Sequence, residues 1–123
     1  MQTYVGLDVS LEKTWICVVD DNGNVLREGS VDSQPRAIVE FVERHARSVH
    51  RVGLETGPTS TWLWRELTGR GLPAICIDAR HAKAALCMQI NRTDRNDAVG
   101  LARAMQAGRY REVQVKEESL RRA

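Results

Sequence analysis

A chain of 123 residues, 42% hydrophobic and 28% charged, is long enough for one ordinary globular core and too short for two. Its formal net charge of +2 singles out no class of partner. No apolar run reaches the length of a membrane span and no signal-peptide pattern precedes the first strand, which predicts a soluble, cytoplasmic protein with no membrane partner.

The predicted elements follow one another in a simple order. TYVGLDV and TWICVVD alternate β-branched and apolar residues as strands do. An Asn-Gly turn at Asn22 and Gly23 leads into VLREGSV, completing an antiparallel meander. Pro35 opens a helix, with Ile38, Val39, Phe41, Val42 and Ala46 at helical spacing, running to about Arg47. VGLE (52–55) is a fourth strand. Thr59 or Ser60 caps a helix through TWLWRELTG, which Gly69 and Gly71 stop, and PAICID is a fifth strand. Two helical stretches follow, around Arg80 to Leu86 and from Thr93 to Gly108, the second with Ala98, Leu101, Ala102 and Met105 on one stripe.

Three antiparallel strands, a helix, then strands alternating with helices predict an α/β fold: a mixed sheet of five strands with helices on its faces, the order of a ribonuclease H-like domain. Cys17, Cys76 and Cys87 are odd in number and without CxxC spacing. They read as small buried hydrophobes in a reducing compartment rather than as zinc ligands or a catalytic thiol. His45, His50 and His81 lack metal-ligand spacing and read as surface residues. Trp62 and Trp64 are two apart and point different ways on a helix, so at least one packs in the core.

Four carboxylates stand out: Asp8 in VGLDVS, Glu55 in VGLETG, and Asp94 and Asp97 in NRTDRNDA. Each falls where a strand ends or a helix begins. If the first and fourth strands are neighbours, Asp8 and Glu55 meet at one sheet edge, and Asp94 and Asp97, three apart, share a helix face. Carboxylates brought together in a low dielectric repel, and a divalent cation relieves that repulsion. Each acid also has a plainer reading: Asp8 as a turn residue, Asp94 as an N-cap, and Asp97 as a charge suited to the helix's positive end. Glu55 closes an apolar run, and a buried carboxylate is seldom left without a partner.

Charge is unevenly spread. Residues 1–78 carry 8 Lys+Arg against 11 Asp+Glu, whereas residues 79–111 carry 7 against 2. Arg80, Lys83, Arg92, Arg95, Arg103, Arg109 and Arg111 thus surround the last two acids, and either contact phosphates beside them or form a solvated helix face.

The motifs GLDVS, LETG, DARHAK and above all RTDRNDA resemble the N-terminal RuvC-like domain of the DEDD insertion-sequence transposases, relatives of the Piv-type site-specific invertases. The resemblance runs from about Tyr4 to Val115. The family's last motif is usually KTDxxDA; Arg92 stands here for the lysine, keeping charge but not geometry. Membership implies a catalytic, metal-binding set of Asp8, Glu55, Asp94 and Asp97 holding Mg²⁺, with Mn²⁺ as a substitute, and nucleic-acid contacts from Arg80, Lys83, Arg92 and Arg95. It implies DNA as substrate, a structured guide RNA in many members, and a homo-oligomer, dimer or tetramer, of the full-length protein. It also implies a metal-binding domain over 1–112, the start of a helical linker over 113–123, and a further serine-bearing domain outside this sequence, so that this piece alone would bind metal weakly and not recombine DNA.

Three other classes use similar elements. A Holliday-junction resolvase or ribonuclease would use the same acids hydrolytically. A sugar-kinase or actin-like ATPase also opens on a strand ending in GxDxS, but the second DxGxT phosphate loop it requires is missing. A non-catalytic RNA-binding or dimerisation module would account for the Arg-rich segment alone.

Overall fold

The structure, a computed structural model, describes residues 2–55, 60–77, 94–108, 110 and 112–113, with residues 60 and 94–97 described by their backbone. In chain order the elements are β1 (Thr3–Val9), β2 (Lys13–Val19), β3 (Val25–Asp32), α1 (Pro35–His45), β4 (Val49–Glu55), α2 (Ser60–Gly69), β5 (Ala74–Ile77), α3 (Asp94–Ala107) and β6 (Glu112–Val113). The helical stretch expected around Arg80 to Leu86 lies outside the described residues.

The strands form one mixed sheet in the order β3-β2-β1-β4-β5-β6. β1, β2 and β3 pair antiparallel, β1 with β4 and β4 with β5 pair parallel, and β6 returns antiparallel on β5. The sheet therefore has six strands where five were expected. The sixth is two residues long, Cys76 facing Val113 and Ile77 facing Glu112. A pair that short carries no period of its own, so only its partner reveals it.

Side chains alternate across the sheet, and both faces are apolar. One face buries Val5, Leu7, Ile16, Val18, Val52 and Leu54 against Ile38 and Val42 of α1 and Leu63 and Leu67 of α2. The other receives α3, which packs Ala98 and Ala102 by Cys17 and Val19, and Leu101 and Met105 by Ile75 and Ile77. Each fully buried aliphatic side chain contributes about 1.5–3 kcal/mol. Cys17 and Cys76 are buried within these layers, as small hydrophobes should be. Trp64 packs on the first core and donates Nε1–H to the Ala74 carbonyl at 2.9 Å, while Trp62 is exposed. His45 packs against Phe41 with ring centroids 4.6 Å apart and planes tilted by 57°, and His50 meets Tyr4 edge to face.

Helix ends follow local chemistry. α2 stops because Gly71 takes a φ of 97°, letting its amide reach the Thr68 carbonyl and the Leu72 amide reach the Leu67 carbonyl, both at 3.1 Å. That is a glycine C-cap, with Leu67 and Leu72 both in the core. α1 ends at His45, two residues before the expected Arg47, and β4 begins at Val49, three before the expected Val52. The cause is tertiary. Thr3 accepts the incoming chain by donating its amide to the Ser48 carbonyl at 3.1 Å and its hydroxyl to the Arg47 carbonyl at 2.8 Å. Ser48 adopts φ 50° to make the corner, and an irregularity between Thr3 and Tyr4 resets the register.

Candidate metal centre

The tetrapeptides Val5-Gly6-Leu7-Asp8 and Val52-Gly53-Leu54-Glu55 have one pattern, and the sheet lays them side by side. β1 and β4 run parallel with Val5 against Val52, Gly6 against Gly53 and Leu7 against Leu54. One residue further on, Asp8 and Glu55 stand level at the ends of neighbouring strands, both half-buried. Leu7 and Leu54 face α1 and α2, so strand alternation turns the flanking glycines and acids to the opposite face, where α3 lies.

The glycines explain how close α3 comes. A methyl group at Gly6 would overlap the Ala98 carbonyl and lie within 2.8 Å of the Ala102 amide nitrogen. At Gly53 it would meet Met105 Sδ at 2.6 Å and Ile77 Cδ1 at 2.7 Å. α3 runs antiparallel to β1. Its C-terminal half reaches the turn between β2 and β3, where Arg103 Nε donates to the Gly23 carbonyl at 3.0 Å and Gln106 Nε2 to the Asp21 carbonyl at 2.7 Å. Ala98 sits over Gly6, so the preceding turn, which begins at Asp94 and holds Asp97, lies toward the Asp8 end of the sheet.

The backbone thus brings the strand ends of Asp8 and Glu55 and the first turn of α3 to one edge. Among the described residues no group of three or more His, Cys, Asp or Glu side chains is gathered for a metal ion. The side chains of Asp94 and Asp97 lie outside the described residues. Half-buried carboxylates on adjacent strands are hard oxygen donors, which fits Mg²⁺ better than a softer metal.

Of the expected phosphate-contacting residues, Arg80, Lys83, Arg92, Arg109 and Arg111 lie outside the described residues, and Arg95 is described as a backbone position in the first turn of α3. Arg103, which the sequence left open between a phosphate contact and a solvated helix face, donates its Nε–H to the β2–β3 turn from the C-terminal half of the helix.

Trp15 and the facing glycines Gly6 and Gly53 went unread in the sequence. Trp15 on β2 pairs with Asp8 in register and packs on the cluster of Cys17, Val19, Ala98 and Ala102, with Nε1–H donated to Glu28 Oε1 at 3.1 Å. Its even spacing with Cys17 and Val19 was the available signal, since all three share the α3 face. The repeated V-G-L-acid pattern was the second signal, because a glycine inside a strand marks a close approach of backbone.

A mixed sheet of this order, with helices on both faces and acids at the ends of its first and fourth strands, defines a ribonuclease H-like α/β domain. The model of the IS110-type DEDD transposase family, described as "Transposase", matches residues 5–122, so the chain belongs to that family, whose members are enzymes of DNA recombination. No curated protein matches the chain. Among the described residues no helix is long and apolar enough to cross a membrane.

Proposed function

We propose that Asp8, Glu55, Asp94 and Asp97 are the catalytic, metal-holding carboxylates of a RuvC-like transposase domain that promotes DNA strand cleavage and exchange. The observation that carries this reading is the parallel register of the two V-G-L-acid strands, with the first turn of α3 directed to the same edge. The group held is Mg²⁺, with Mn²⁺ as a substitute; when bound, it neutralises charge on the scissile phosphate and orients its oxygens. Asp8, on the central strand, lies between Glu55 on one side and Trp15 on the other and is the best placed to share a ligand.

Around these acids, Arg80, Lys83, Arg92 and Arg95 contact the phosphates of DNA or of a structured guide RNA. Such contacts position a strand without reading its sequence. The working unit is a homo-oligomer. Family membership supports the recombination chemistry in general, and the uneven charge along the chain supports the nucleic-acid contacts.

A Mn²⁺ titration of wild type beside Asp8→Ala and Asp97→Ala, read by calorimetry, tests the centre. Saturable binding in wild type that both variants lose is the expected result. Absence of binding in wild type, with and without nucleic acid, would sink the reading and leave a non-catalytic RNA-holding domain.

A further inference from the structure

We infer that Gly6, Arg103 and Gln106 are positioning residues for the carboxylate set: they seat α3 on the sheet and thereby fix how far its first turn stands from Asp8 and Glu55. The inference rests on the metal-centre reading and goes beyond it, since none of the three is a ligand in that reading. The two strands that carry Asp8 and Glu55 are hydrogen-bonded neighbours, so their separation is set by the sheet. Asp94 and Asp97 reach the same edge only through the placement of a helix, so the seat of α3 is the free variable of the site.

Three contacts decide that seat. At Gly6 the obstacle to any side chain is backbone, the Ala98 carbonyl and the Ala102 amide, which cannot turn aside. At Gly53 the obstacle is the tips of Met105 and Ile77, which can. Gly6 therefore sets the closest approach. The buried stripe on α3 is low over β1 and β2, where Ala98 and Ala102 lie, and interdigitates only through Leu101 and Met105 on the Ile75 and Ile77 side, so it resists a pivot unevenly.

What holds the other end is polar. Arg103 and Gln106 donate to the carbonyls of Gly23 and Asp21. That turn is firm in its own right: the Asp20 carboxylate accepts the Asn22 and Asn24 amides at 2.9 Å, and Gly23 holds φ 85°. These bonds lie on the exposed side of the protein and contribute little to overall stability, yet they hold the end of α3 opposite its first turn, with the Gly6 contact between as pivot. From the Gly6 contact, midway between Ala98 and Ala102, to Asp94 is about 9 Å along the axis, so a tilt of about 7° displaces the first turn by roughly 1 Å. A displacement of about 1 Å is enough to impair a preorganised site.

The test compares wild type with the double variant Arg103→Ala/Gln106→Ala, with Arg103→Lys and with Gly6→Ala, using Mn²⁺ calorimetry and hydrogen exchange of α3 and β1 amides. In the double variant, Mn²⁺ affinity should fall about tenfold, as loss of one to two hydrogen bonds of helix docking allows. Exchange in α3 should quicken while β1 keeps its protection. Arg103→Lys should retain most of the affinity. Gly6→Ala should lose more, and if it fails to fold, the double variant still decides.

Unchanged affinity in the double variant, whether or not α3 exchange quickens, would overturn the inference while leaving the metal centre standing. Equal quickening in α3 and β1 would also overturn it, by showing general destabilisation. A wild type that binds no Mn²⁺ would instead remove the metal centre itself.

Discussion

Cys17 shows how a strand position sets the chemistry of a side chain. Its thiol is fully buried on the α3 face, and its pKa is pushed up to about 12, first by burial, then by the charge of Glu28, with Arg103 opposing. In the unfolded chain the thiol titrates near its ordinary 9.0. Above that value the unfolded state releases a proton that the folded state keeps, so Cys17 makes stability fall as pH rises between about 9 and 12. Denaturant titrations of wild type and Cys17→Ala from about pH 8 to about pH 10 should show a falling midpoint that is steeper in wild type. Equal slopes would assign the loss to other groups. At the same scale, Asp20 is held below the ordinary carboxylate range, chiefly by the Asn24 amide, with the Asn22 and Gly23 amides and the Asn24 side chain also contributing. That makes it a charged, fixed corner of the turn on which α3 rests.

Elements begin and end where local chemistry and tertiary contacts agree or compete. At Gly71 they agree. Its φ of 97° is required by the helix cap, and among the described residues nothing lies within 4 Å of where a Cβ would stand, so against them a substitution meets backbone strain alone. Gly71→Ala should cost about 1 kcal/mol, read as a lower urea midpoint with an unchanged slope. A larger loss would mean that the loop into β5 moves too. At the α1–β4 junction they compete, and the tertiary contacts prevail: Thr3 draws Arg47 and Ser48 out of the helical pattern and into the sheet. The helix pattern through Ala46 was real, but the apolar period could not show that Ala46 would be reached in extended backbone.

At the scale of the whole molecule, a sheet covered on both faces leaves its strand ends as the place for chemistry. In open sheets ligands bind at those ends, where the chain reverses and backbone is not shielded by helices. Here β1 is central, flanked by one antiparallel and one parallel neighbour, so the edge at Asp8 is also where the topology switches. Because metal would bind the folded form, Mn²⁺ at about ten times its dissociation constant should stabilise the domain by about 1.4 kcal/mol. Thermal unfolding with and without Mn²⁺ would show this as a raised midpoint in wild type. Asp8→Asn should abolish the rise while leaving the metal-free midpoint near that of wild type, and a rise that survived the substitution would place the ion elsewhere.

Much of this protein is determined by sequence alone, because strand alternation, helix period and turn residues are local and short-range. The meander of β1 to β3, the helices α1, α2 and α3, the burial of Cys17 and Cys76, and the candidacy of Asp8 and Glu55 at strand ends all follow from neighbours a few residues apart. Tertiary structure alone decided the register that sets Gly6 against Gly53, the addition of β6, the shortened α1 and the place of Arg103. Each depends on which segments meet after the chain has folded, and a local pattern carries no record of a partner distant in sequence. The juxtaposition of the α3 first turn with the strand ends is of this second kind, since it follows from a helix seated by a missing side chain and two polar contacts at its other end.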